Sequence, residues 1–421
     1  MSNLLPNDWE ITTLEKNSQL ITDGSHFSPI TSECGFPIAT VQNMADREIN
    51  ISSCRKISKM DFDNLVKGNC SPEYDDVLFS KDGTIGKTFV YKQKQKIVLL
   101  SSIAIIRLKK NQINPDYCTQ YLQSSLFYSQ LENAKSGSAI RRVVLKDIKQ
   151  LELPMPPLHE QQKIAAILTS VDDVIEKTQA QINKLKDLKT GMMQELLTRG
   201  VGIDGKPHTE FKDSPVGRIP KGWDVKSLGD LSSFITSGSR GWAQYYSESG
   251  AIFIRIGNLT REHINFRFKD IIRVSPPESA EGKRTLVQTG DVLISITADL
   301  GVIAVVNESL EKAYVNQHVA LVRLKDIAIS RWVGHYLAFE QTQKQFSANN
   351  DSGAKAGLNL TAIRNTFVAL PSESEILSIV KTLDSIDDLI SKKRNKLVTL
   401  NNTKKALMQD LLTGKVRVNV D

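Results

Sequence analysis

The stretch Leu158–Arg199 occurs twice in this chain, and the second occurrence keeps the frame of the first. Its apolar positions are Ile164, Leu168, Val171, Ile175, Ile182, Leu185, Met192 and Leu196, with Thr178 and Lys189 at the two places that would otherwise break the series. Alternating steps of four and three make the seam of a coiled coil, whose period suits two helices wound on each other. The later copy reads Ile379, Leu383, Ile386, Ile390, Leu397, Leu400, Leu407 and Leu411, and Lys404 stands where Lys189 stood. Asp172-Asp173 answers to Asp387-Asp388 at an offset of 215 residues. The match runs without a gap to the endings Met193–Thr198 and Met408–Thr413. One such helix is unremarkable; two in register are a duplication.

The duplication extends to what precedes each helix. Leu5-Pro6-Asn7-Asp8-Trp9 corresponds to Ile219-Pro220-Lys221-Gly222-Trp223, and Thr22–His26 to Thr236–Arg240, a tight polar loop whose glycine permits positive φ. Asp76–Ser80 and Asp291–Ser295 are apolar runs that end in glycine-bearing turns at Gly86 and Gly301, the pattern of buried strands. Ile103–Leu108 and Val319–Leu324 are a further strand pair, followed by short helices around Tyr121-Leu122 and Tyr336-Leu337 and by Ser-Gly loops at Ser136-Gly137 and Ser352-Gly353. The class is α+β: two similar, mainly β globular domains separated by two long helices packed as an antiparallel coiled coil.

The expected boundaries are residues 1–157 and 219–372 for the globular domains, 158–199 and 373–414 for the helices, 200–218 for a linker and 415–421 for a tail. Pro156-Pro157 leads into the first helix, where a missing N–H is tolerated, and Ser372-Glu373-Ser374-Glu375 has the spacing of a capping box. Gly200 and Gly414 supply the stops. At 1.5 Å per residue each helix is a rod of about 60 Å. Its outer face carries Glu160, Gln161, Lys163, Asp173 and Lys177, with Glu375 and Asp388 as counterparts, and is expected to dock partner subunits.

Composition excludes several classes. A charged fraction of 24% and a hydrophobic fraction of 40% are those of a water-soluble globular protein, and no apolar run reaches the length of a membrane helix. The N-terminal residues have no secretory-signal pattern, so a cytoplasmic location is expected. The four cysteines lack C-x-x-C spacing and are expected as free thiols. A net charge of +7 is compatible with a nucleic-acid partner.

Catalytic motifs are sparse. Gly200–Gly205 satisfies G-x-G-x-x-G, but it follows a helix instead of leading from a strand into one, so it reads as linker. Pro115-Asp116 with Asp147-Ile148-Lys149 has the spacing of a metal-dependent nuclease, and Asp116, Asp147 and Lys149 form the rival, enzymatic reading. The second copy has Arg331 and Ala362 opposite the two aspartates. A third reading is a scaffold whose rods only join other proteins.

Two similar but non-identical globular units suit the reading of two different half-sites in double-stranded DNA, whose equivalent grooves recur at roughly 34 Å. Arg and Lys pair with guanine or phosphate, Asn and Gln with adenine. The candidates are Arg141 and Arg142 in the first unit, and Arg240, Arg255, Arg261, Gln317 and Lys355 in the second.

The chain resembles the specificity subunit of type I restriction–modification systems. The resemblance rests on the two Pro-x-x-Trp openings, on Pro154-(x)-Pro156-Pro157-Leu158-His159-Glu160-Gln161 entering the long helix, and on the paired Met-Gln-(x)-Leu-Leu-Thr endings. It implies a non-catalytic subunit in which each globular domain recognises half of a bipartite, asymmetric DNA target. It further implies that the helices dock DNA methyltransferase subunits, two of them, and that motor–nuclease restriction subunits complete the assembly. S-adenosylmethionine, ATP and Mg²⁺ then belong to those partners, and no cofactor or metal to this chain. The second copy departs from the signature, with Ser372 breaking the proline pair and Ile376 for Gln161.

Overall fold

The computed structural model describes residues 5–134, 142–202, 205–348 and 357–419. The chain divides into two compact units, one formed by residues 1–180 and 395–421, the other by residues 181–394. Each unit therefore takes part of both long helices, the central helix Leu158–Leu196 and the distal helix Glu373–Leu411.

In the first unit a four-stranded antiparallel sheet has the order Ser18–Asp23, Ile103–Leu108, Val77–Ser80, Thr88–Val90. A three-stranded sheet sets Phe36–Ala39 between Arg55–Ile57 and the parallel strand Val98–Leu99. The second unit repeats the plan with Ser232–Ser237, Val319–Leu324, Val292–Ser295 and Ile303–Val305. Its other sheet places Ala251–Ile254 between Arg273–Val274 and the parallel strand Ala313–Val315, and adds Tyr246–Ser247 at the edge. Even the irregularity recurs: the register slips between Ser18 and Leu20 and between Ser232 and Phe234.

The unbroken apolar runs are explained by burial of both sheet faces. Side chains alternate across a strand, so Ala104 and Ile106 join one core while Ile103 and Ile105 join another. The first of these cores also holds Ile164 and Leu168 of the central helix and Met408 and Leu411 of the distal one. In the second unit Ala320 and Val322 pack in a core with Ile376, Ile379 and Leu383, while Val319 and Leu321 face the second sheet. The helices are thus anchored through the sheets.

Every seam position named above is buried or half-buried. The two helices run antiparallel in each unit. In the second, Gln181 accepts from Lys393 and Lys189 meets Asp387; in the first, Asp172 meets Lys404. Gly200 and Gly414 take φ of +65° and +71°, as a left-handed helix stop requires. The capping box is only half made: Ser372 Oγ accepts from the Glu375 N–H at 3.4 Å, but the Glu375 carboxylate is engaged elsewhere.

Gly24 and Gly238 do not use the positive φ that glycine permits. A Cβ on Gly24 would stand 2.2 Å from the Leu99 backbone, and one on Gly238 2.1 Å from the Asn316 carbonyl oxygen. Close strand approach is the reason for glycine at both places. Ser136-Gly137 and Ser352-Gly353 lie outside the described residues. All four cysteines are free thiols, and no helix among the described residues is long and apolar enough to cross a membrane.

Candidate nucleic-acid interface

In each unit the same set of short loops comes together beside the four-stranded sheet. In the second unit Ser239 bridges to Asn316 and Thr297 bridges to Gly357; in the first the equivalents are Ser25 with Leu100 and Asp82 with Arg142. The loop after the middle strand of the smaller sheet is built alike in both. Asn43 Oδ1 accepts from the Thr40 N–H at 2.8 Å, and Asn258 Oδ1 accepts from the Arg255 N–H at 3.0 Å. The scaffold is shared, and its side chains are not.

The second unit presents basic and amide groups there. Arg255, Arg267, Lys269, Asn316 and His318 line a cavity of about 380 Å³. Arg255 donates from Nη2 to the Asp270 carbonyl at 3.0 Å, and its buried Nε has no partner among the described residues. Arg267 donates to the Gly257 carbonyl. Exposed Phe268 sits between the two cations, Arg267 and Lys269, so that basic and aromatic side chains interleave. Arg240 is exposed beside Ser239, whose carbonyl accepts from the Gln317 N–H at 3.0 Å.

The first unit presents a different chemistry. Lys81, buried, pairs with Asp23 at 3.0 Å and Asp82 at 3.5 Å, and Arg142 Nε lies 3.1 Å from Asp82. Beside this charged set a loop exposes Phe27 (68%) and Ile30 (87%). Arg55 holds that loop through the Pro29 carbonyl and Ser28 Oγ, both at 2.6 Å.

Of the DNA-contact candidates, Arg142, Arg240, Arg255 and Gln317 fall in these loop clusters. Arg261 does not: its guanidinium is committed to Asp299 and Gln343, and it lines a separate cavity with Lys186 and Lys189. Arg141 and Lys355 lie outside the described residues. Arg267, Lys269 and His318 escaped the sequence reading; the alternation Phe266-Arg267-Phe268-Lys269 was the signal available.

Three of the proposed docking residues are internal, contrary to expectation. Glu160 Oε2 accepts from Trp9 Nε1–H at 2.9 Å, and Glu375 Oε2 from Trp223 Nε1–H at 3.1 Å. Both carboxylates are buried, because each fixes the start of its helix to the unit's own tryptophan. Gln161 is 1% exposed and bonds to the Asn114 N–H and the Gln112 and Pro156 carbonyls, whereas its replacement Ile376 belongs to the apolar core. Lys163, Lys177 and Asp388 are exposed as expected, and half-exposed Asp173 pairs with Arg47 at 2.5 Å.

The nuclease triad is dispersed into local roles. Asp116 pairs with Lys92 at 3.0 Å, Asp147 caps a helix by accepting from the Val144 N–H, and Lys149 pairs with Glu15 at 3.5 Å. Among the described residues the one group spaced to share a cation is His335, Asp384 and Asp387. Arg331 and Lys189 already neutralise those two carboxylates, at 2.5 and 2.6 Å.

A repeated β-rich scaffold carrying divergent polar and basic loops is the layout of a recognition protein. The chain belongs to the family of the type I restriction modification DNA specificity domain, whose model matches residues 28–187 and again 220–400. It is 28% identical to the putative type I restriction enzyme MjaX specificity subunit of Methanocaldococcus jannaschii, over 98% of this chain and 95% of that one. The MjaVIII specificity subunit of the same organism is 29% identical, over 82% of this chain and 79% of its own length. Among solved structures, the type I restriction–modification S subunit from M. genitalium shares the fold, with a TM-score of 0.61 at 13% identity over 98% of this chain and 97% of that one. A chain from a structure of type I R-M system assembly and conformational transition gives 0.52 at 18% identity, over 98% and 99%.

Proposed function

We propose that this chain is the DNA-specificity subunit of a type I restriction–modification complex, each unit recognising one half of a bipartite, asymmetric duplex sequence. The observation that carries the reading is the loop cluster built twice on one scaffold with different side chains. Thr40, Ser101 and Ser102 occupy the positions of Arg255, Gln317 and His318. Basic side chains such as Arg267 and Lys269 contribute phosphate neutralisation, and amide and guanidinium groups discriminate bases.

The exposed faces of the long helices dock the methyltransferase subunits, two per chain. Exposed apolar side chains there support this reading: Val174 and Val398 in the first unit, Leu188, Leu377 and Leu389 in the second. Motor–nuclease subunits join the same assembly in the cytoplasm, and S-adenosylmethionine, ATP and Mg²⁺ act on the partners.

Domain exchange tests the assignment. Replacing residues 1–157 with the equivalent region of a relative of different specificity should change one half of the methylated sequence and leave the other intact. An unchanged sequence, or one altered in both halves, would overturn the reading.

A further inference from the structure

The loop Asn316–His318 is fixed more tightly than a connection between strands needs to be. The Gln317 N–H donates to the Ser239 carbonyl at 3.0 Å, the His318 N–H to Asn316 Oδ1 at 3.1 Å, and the His318 carbonyl accepts from the Ile296 N–H at 3.0 Å. The side chains then form a chain of their own. Thr297 Oγ1 lies 2.8 Å from His318 Nδ1, and Gln317 Nε2 lies 3.2 Å from His318 Nε2. An amide nitrogen can only donate, so His318 Nε2 accepts and its proton sits on Nδ1, directed at Thr297.

In that arrangement the Gln317 amide presents its nitrogen to His318. One of its two N–H groups is committed to His318; the other, and the Oε1 acceptor, have no partner among the described residues. An acceptor beside a donor on one planar group is the complement of the adenine edge in the major groove, where N6–H₂ donates and N7 accepts. The cavity lined by His318, Arg255, Arg267 and Lys269 adjoins it and supplies positive charge for the phosphates.

We propose that Gln317 reads an adenine in the half-site bound by the second unit, and that His318 and Thr297 are positioning residues that hold its amide in the reading orientation. The first unit has Ser101 and Ser102 at the matching positions and lacks the device. The inference rests on the specificity-subunit reading and deepens it.

The test uses the full chain assembled with its methyltransferase subunits. Methylated genomic positions give the wild-type target, and methylation rates on duplexes changed one base pair at a time give discrimination at each position. Gln317→Ala should abolish discrimination at a single A·T position in one half, a loss of roughly ten- to a hundredfold, with the other half unchanged. Gln317→Glu should shift preference at that position toward cytosine, whose N4–H₂ a carboxylate can accept. Thr297→Val should weaken discrimination at the same position and no other, which a merely structural role would not do. Retained discrimination everywhere in Gln317→Ala, an equal loss at all positions, or a half-site of G·C pairs alone would overturn the inference while leaving the specificity reading standing. A wild-type complex that methylates no two-part sequence would overturn that reading itself.

Discussion

Lys189 Nζ lies 2.6 Å from Asp387 Oδ1 in the second unit, and the first unit makes the same pair with the helices exchanged. There the aspartate, Asp172, is on the central helix and the lysine, Lys404, on the distal one, again at 2.6 Å. Both lysines occupy positions an uninterrupted seam would give to leucine. An ion pair there fixes which stretch of one helix faces which stretch of the other, the register role best attested for polar seam residues.

Breaking one pair leaves the other member's charge buried. Lys189→Met should destabilise the second unit by about 3 kcal/mol, since Asp387 is 1% exposed, whereas Lys189→Met combined with Asp387→Leu should recover most of that loss. Denaturant unfolding of the two variants checks this; equal losses in both would remove the buried charge as the cause.

Glu375 receives Trp223 Nε1–H, the Val201 N–H at 2.8 Å and a contact from His208 at 3.0 Å, so one carboxylate ties the start of the distal helix to the end of the central one. Glu375→Ala should cost about 2 kcal/mol by leaving those donors unsatisfied, more than the loss from exposed Asp388→Ala. Thermal melts of the pair give the ranking.

Acid should unfold the second unit through His335 and Asp384. Burial pulls the imidazole of His335 below its ordinary range against the pull of Asp384, so it is neutral in the fold and takes up a proton on unfolding. Burial pushes the Asp384 carboxyl up, but hydrogen bonds from His335 and Arg331 outweigh it and hold the pKa at about 2. A depressed carboxylate contributes stability that is complete above its unfolded pKa near 4 and vanishes as pH falls through about 2. Melting temperature should therefore drop first below the ordinary histidine range and again between about pH 4 and 2. Asp384→Asn should flatten the second fall.

Glycine should be required where backbones meet and dispensable where they do not. Gly24→Ala and Gly238→Ala place a methyl group against main-chain atoms and should each prevent native packing, while Gly257→Ala, with nothing within 4 Å, should fold normally. Circular dichroism and melting curves separate the outcomes.

Removing phosphate contacts should act without regard to sequence. Lys269→Ala should weaken binding of the assembled complex to all duplexes alike and lower the slope of log affinity against log salt by about one. A changed base preference would instead make Lys269 a reader.

The duplication, the seam and the buried strands were legible because each is a periodic pattern with an internal replicate. The same replicate held more than it first yielded. Trp9 and Trp223, Glu160 and Glu375, and Lys189 and Lys404 are all retained between copies, and retention at seam and helix-start positions marks internal partners, not docking faces. Acidic residues in a first helical turn looked like surface charges because nothing local reveals a tryptophan 151 residues away. The Thr297–His318–Gln317 relay joins residues from different loops, so no spacing rule announces it.

Since residues 395–421 complete the first unit's core through Met408 and Leu411, that unit stays unfinished until the ribosome has passed the whole of the second. Its sheet waits with an apolar ledge uncovered while the second unit is still being synthesised. A polypeptide released before residues 395–411 of the distal helix has no finished first unit to offer a partner.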